Sequence, residues 1–104
     1  MTFPVLEGKV AIITGAAMGM GLATANLFAE AKAKVVIADF NEEKGKAAVS
    51  EIEANGGTAY FVKVDISKSD QVQNMVAKTV EKYGRLDVAI NNAALTPDNA
   101  PAAE

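Results

Sequence analysis

The segment Thr14-Gly15-Ala16-Ala17-Met18-Gly19-Met20-Gly21 constrains this chain more than any other. It follows the apolar run Val10-Ala11-Ile12-Ile13 and leads into a helix-forming stretch. Glycines at 15, 19 and 21 give the spacing G-x-x-x-G-x-G, which fits a phosphate-binding turn between a strand and a helix. Gly15, lacking a Cβ, can take the positive φ of a sharp exit from the strand. Gly19 clears the backbone where a pyrophosphate would approach, and Gly21 lets the helix pack closely. The unpaired N–H groups and the positive dipole end of that helix then face the anion.

The flanking pattern predicts the fold. Short apolar runs start at Val10, Val35, Ala59 and Val88, reading VAII, VVIA, AYFV and VAI. They are rich in β-branched and aromatic residues without polar alternation, as strands buried on both faces are. Helical segments separate them. Leu22, Ala25, Phe28 and Ala29 form the first stripe, ending near Ala31-Lys32. Asn41 can cap a second helix that stops at Asn55-Gly56-Gly57, with Gly45 an interior cost of about 1 kcal/mol relative to Ala. Ser67 and Asp70 form a capping-box-like start to a third. There Val72, Met75, Val76, Thr79 and Val80 recur at helical spacing up to Tyr83-Gly84. This alternation predicts an α/β fold, a three-layer α/β/α Rossmann-type doubly wound parallel sheet, represented by its first four strands. Residues 1–104 read as a single NAD(P)-binding Rossmann domain, a truncated one that holds the cofactor-binding half only, with a loop or the approach to a further helix from Thr96 onward.

Composition narrows the chemistry. Half the residues are apolar and 22% charged, a globular balance, and the net charge of -3 gives no basic footprint for nucleic acid. The absence of Cys and His removes thiolate and imidazole metal ligands, the thiol nucleophile and the commonest general base. No apolar stretch reaches the ~20 residues of a membrane span, and MTFPVLEG lacks a signal-peptide layout. A cytoplasmic protein without membrane or nucleic-acid partners is expected.

Asp39 ends the second strand run, 18 residues after Gly21, where a carboxylate can accept from the hydroxyls of an adenosine ribose. It would also repel a ribose 2′-phosphate. Two unit charges about 4 Å apart cost about 4 kcal/mol at an effective dielectric near 20, on the order of a thousandfold in affinity. Ala16, Ala17 and Phe40 offer no cation, so NAD is expected over NADP. Asp65, in Val64-Asp65-Ile66 at the end of the third strand, can accept from an adenine amino group beside Ile66, or cap the third helix. Asn91 can tie neighbouring strands as a buried amide, and Asn92, Ala93 and Ala94 would line the cofactor. The first and fourth strands should flank the crevice at the switch point of strand order.

TGAAMGMG, the Asp39 strand end, VDI at 64–66 and LDVAINNAA at 86–94 together resemble the short-chain dehydrogenase/reductase family. Its glycine turn reads TGxxxGxG and its fourth strand ends in NNAG. Ala94 departs from that last glycine, and Met18 and Met20 replace commoner residues. The resemblance implies a cofactor-binding set of Gly15, Ala17, Met18, Gly19, Met20, Gly21, Asp39, Phe40, Asp65, Ile66, Asn92, Ala93 and Ala94. It also implies hydride transfer between a nicotinamide and an alcohol or ketone, and a homo-oligomer when full length. The family's catalytic Ser and Tyr-x-x-x-Lys lie in the second half of a longer chain. Tyr60, with Lys at 63, and Tyr83, with Asp at 87, do not match that spacing, so no catalytic residue is expected here. The alternative is a non-catalytic module or fragment that binds NAD without turnover. Of other nucleotide folds, a Walker-type loop would need Lys-Ser/Thr where Leu22-Ala23 follow Gly21, and a methyltransferase, whose glycines are usually closer together, leaves NNAA unexplained.

Overall fold

The computed structural model describes residues 6–17 and 19–91. Four strands and three helices alternate: β1 (Val10–Thr14), α1 (Gly19–Glu30), β2 (Lys34–Asp39), α2 (Glu42–Ala54), β3 (Thr58–Lys63), α3 (Ser69–Tyr83) and β4 (Val88–Asn91). Each apolar run becomes a strand. They form one parallel sheet in the order β3-β2-β1-β4. Strand order therefore reverses between β1 and β4, as expected.

The sheet is covered on both faces. Ile13, Val35, Ile37 and Ala59 pack with Ala25 of α1 and Ala48 and Ile52 of α2 on one side. Ile12, Val36, Ala38 and Val62 pack with Met75 of α3 on the other. Alternating residues of the same strands thus serve two cores, which is why these strands show no polar period. At a few tenths to one kcal/mol per good cross-strand contact, burial of the shared strand residues outweighs any one helix propensity.

Asn41 caps α2 as expected, its side-chain oxygen accepting from Lys44 N–H at 2.9 Å. Three local expectations change. Ser67 does not cap α3. The helix starts at Ser69 after Lys68, whose side chain makes no cap hydrogen bond. The Ser67 hydroxyl instead donates to Asp65 Oδ1 at 2.6 Å, and Ser67 N–H donates to the same oxygen at 3.0 Å. The Asp65 carboxylate holds both the N–H and the hydroxyl of Ser67 in a local turn, and the helix opens two residues later, so Ser67 does not stand at the cap position. Val80, the last member of the α3 stripe, points outward and is exposed. Gly45 is more than a weak helix former: a Cβ there would lie 2.1 Å from Phe61 Cε1 of β3. Its missing side chain lets α2 lie against the sheet.

Asp87 fastens the start of β4. Its carboxylate accepts from Val10 N–H at 2.9 Å, and its own N–H donates to Val10 O at 2.9 Å. Arg85 grips the same carboxylate through two contacts of 2.8 Å. The Arg85 hydrogen bonds, then that from Val10, hold the Asp87 carboxyl below its ordinary range.

The Gly45 packing sets a test against propensity. Gly45→Ala would gain about 1 kcal/mol from propensity alone, but overpacking costs about 1–3 kcal/mol. A net loss of about 1 kcal/mol, lowering Tm by ~5 °C, is expected in thermal unfolding. A raised Tm would show that Phe61 swings aside freely.

Candidate functional site

The carboxyl ends of β1, β2 and β3 converge on one surface, and the glycine turn lies across it. Gly15 leaves β1 at φ 66° while its N–H still donates to Ala38 O of β2 at 2.9 Å. The chain turns within hydrogen-bonding distance of the sheet at a φ that glycine adopts without strain. Gly19 opens α1 at φ 65°, with nothing within 4 Å of where a Cβ would stand, so the backbone there faces open space. Gly21 is the opposite case. A Cβ would fall 2.1 Å from the Gly15 carbonyl oxygen, so the first turn of α1 rests on the turn that precedes it. Ala16 and Ala17 are buried, whereas Met20 projects outward, 76% exposed.

Asp39, the last residue of β2, links the turn to the next element. Its Oδ2 accepts from Ala17 N–H at 3.2 Å and its Oδ1 from Asn41 N–H at 2.9 Å. An ionised carboxylate has about four lone-pair sites, so both oxygens keep acceptor capacity. Asp65 lies two residues beyond the end of β3 rather than inside the strand. Its N–H donates to Gln71 Oε1 at 2.8 Å, and the Ser67 hydroxyl and then the Ser67 N–H hold its carboxyl below the usual range. It shapes the entry to α3 without capping it.

A cavity of about 160 Å³ is lined by Gly15, Ala38, Asp39, Phe40, Val64, Asp65 and Ile66. Five of the expected cofactor residues thus meet on one wall system: Gly15, Asp39, Phe40, Asp65 and Ile66. The volume suits one ring system rather than a whole dinucleotide, since pockets for drug-sized ligands run to about 300–1,000 Å³. A larger cavity, about 330 Å³, opens among Asn26, Glu30, Lys32, Asn55 and Gly57 where strands begin. Ligands of open α/β sheets bind at the other end, beyond the strands' carboxyl termini. The smaller cavity is therefore the candidate site.

Thr14 and Asn91 close the opposite side of the turn. The buried Thr14 hydroxyl donates to Asn91 Oδ1 at 2.8 Å, joining the ends of β1 and β4. Asn91 ties the strands as expected, but as an exposed rather than a buried amide. Met18, Asn92, Ala93 and Ala94 lie outside the described residues.

Tyr60 stands in β3 and Tyr83 ends α3. Burial pushes the Tyr83 phenol up, with Glu53 and Tyr60 adding to it, despite Lys34 and Lys82 at 5.5 and 5.8 Å from its ring. Among the described residues no helix is long and apolar enough to cross a membrane.

The model of the short chain dehydrogenase family matches residues 9–104, and the chain belongs to that family of oxidoreductases, which use nicotinamide dinucleotides. It is 50% identical over 100 residues to short chain dehydrogenase/reductase astE of Aspergillus oryzae, covering 95% of this chain and 38% of that protein. It is 53% identical over 90 residues to tropinone reductase-like 2 of Erythroxylum coca, covering 86% and 32%. A hydroxysteroid dehydrogenase of Escherichia coli superposes with TM-score 0.82 at 36% identity, over 85% of this chain and 37% of that one. A short chain dehydrogenase of Mycobacterium smegmatis gives 0.85 at 36%, over 88% and 39%. The chain thus spans between about a third and two fifths of the length of these relatives.

Sequence reasoning missed Asp87 and Lys63. Asp87 stands inside the LDVAI segment but its role depends on pairing with β1. Lys63 is the register partner of Asp39, a neighbour that only strand order reveals.

The contact of Gly21 with Gly15 gives the second test. Gly21→Ala places its methyl on a main-chain carbonyl that cannot rotate away, so a loss of about 3 kcal/mol, the upper end for overpacking, is expected in denaturant unfolding. A loss under about 0.5 kcal/mol would mean that α1 can withdraw from the turn.

Proposed function

We propose that this chain supplies the dinucleotide-binding half of an NAD-dependent short-chain oxidoreductase. The whole protein would transfer hydride between the nicotinamide and a small alcohol or ketone. The observation that carries this reading is the Asp39 carboxylate, hydrogen-bonded to the Gly15–Gly19 turn and lining the same cavity as Gly15, Phe40, Asp65 and Ile66.

The donor set suits the group. The first turn of α1 would offer its N–H groups to a pyrophosphate, with nothing within 4 Å of where a Gly19 side chain would stand. Asp39 would accept from the ribose hydroxyls. Asp65 would accept from the adenine amino group, and Phe40 and Ile66 would flank the ring. Met18, Met20, Asn92, Ala93 and Ala94 complete the proposed set along the path from pyrophosphate to nicotinamide. When bound, the cofactor supplies the hydride acceptor and donor. This chain's residues orient it and fix its ribose, while the proton-transferring Tyr and its Lys belong, in this reading, to a part of the protein outside these 104 residues. The whole protein would be a cytoplasmic homo-oligomer without a membrane partner, and the net charge of -3 speaks against a nucleic-acid partner.

Asp39 gives the test. Asp39→Ala removes both the ribose acceptor and the partner of Ala17 N–H, so affinity for every adenine nucleotide should fall. The ratio isolates the ribose role: the preference for NAD over NADP should shrink by at least tenfold in equilibrium titrations. An unchanged ratio would rule out Asp39 as the residue that reads the 2′ position.

A further inference from the structure

Lys63 closes β3 as the register partner of Asp39. Register partners in parallel strands carry their side chains on the same face. Asp39 follows Val35 and Ile37 at alternate positions, and Lys63 follows Ala59 and Phe61, all on the α1/α2 face. The Lys63 Nζ lies 5.3 Å from the centroid of the Phe40 ring, which lines the candidate cavity and is 66% exposed. Among the described residues this ammonium forms no ion pair; the pairs are Lys46–Glu42 and Arg85–Asp87. Its charge nonetheless reaches the start of α2. Lys46, by hydrogen bond and charge, holds the Glu42 carboxyl below its ordinary range, and Lys63 adds a smaller pull.

We propose that Lys63 is a second specificity-determining residue, a cation beside the ribose acid that attracts a 2′-phosphate and opposes its exclusion by Asp39. The proposal rests on the dinucleotide reading above. An ammonium drawn over a ring face, without a carboxylate partner, is available to a new anion arriving next to Asp39. Asp39 and Glu42 are the negative groups around it, so its pull is partial. The thousandfold exclusion expected of Asp39 alone is then an upper value. A lysine at the end of an edge strand also discourages strand-to-strand association, a role indifferent to which nucleotide is bound. The two roles separate in a binding experiment.

That experiment compares adenosine 2′,5′-bisphosphate with AMP by calorimetry on the intact protein. It uses the Asp39→Asn background, where the repulsion is removed and an acceptor for Ala17 N–H is kept. Adding Lys63→Met, which keeps the aliphatic stem, should weaken the bisphosphate about fivefold and leave AMP within about twofold, the scale of one exposed charge pair. Lys63→Arg should restore the bisphosphate. The Lys63 effect should shrink as salt is raised. Equal affinities for the bisphosphate with and without Lys63→Met, while AMP binds, would overturn the proposal and leave the site standing. Failure of AMP to bind the unsubstituted protein would overturn the site reading and this proposal together.

Discussion

β1 is the strand on which the rest of the structure depends. All five of its residues are buried, and it is hydrogen-bonded to β2 on one side and β4 on the other. Being central, it serves both cores: Ile13 faces α1 and α2, and Ile12 faces α3. The reversal of strand order at its edge with β4 separates the crossovers on either side, which opens a crevice past its carboxyl end. The glycine turn is placed there because it is the continuation of this strand. Asp87 fixes one end of the β1–β4 pair through Val10, and Thr14 fixes the other through Asn91. The β1–β4 pair is therefore pinned at both ends, and the Thr14–Asn91 end is the one beside the crevice.

Charge near the ribose end follows from the same packing. The β2–β3 pairing sets Asp39 beside Lys63, and the turn into α2 sets Asn41 N–H on the Asp39 carboxylate. One acidic and one basic residue thus stand at register positions on neighbouring strand ends, without a salt bridge between them. Exposed charges of this kind, even where they pair, contribute only about 0–1 kcal/mol to stability. Their value lies in what each can offer a ligand. In this account Asp39 reads hydroxyls, Lys63 moderates the reading, and Phe40 keeps the ammonium at the rim.

Much of the fold was legible in the sequence because its signals are local. The four strands show as unbroken apolar runs, Asn41 stands three residues before the N–H it caps, and Gly15 and Gly21 sit at the spacing that the turn requires. What escaped the sequence depends on neighbours far along the chain. Gly45 reads as a propensity penalty until Phe61 is seen against it. Ser67 matches a capping pattern, but Asp65 offers its hydroxyl a charged acceptor that the pattern ignores. Asp39 and Asp65, which line the smaller cavity, stand out in the sequence as acids that follow apolar runs. Lys63 does not, since neither its distance from Asp39 in sequence nor its residue type marks it as a neighbour.

The central claim is that the backbone at the start of α1 receives the pyrophosphate. Hydrogen exchange resolved to single amides, with and without saturating NAD, tests it most directly. Marked slowing at Gly19, Met20 and Gly21, whose N–H groups open the helix, is the predicted result. Saturation with NAD that leaves those amides unchanged while slowing the Asn55–Gly57 turn beside the larger cavity would contradict it.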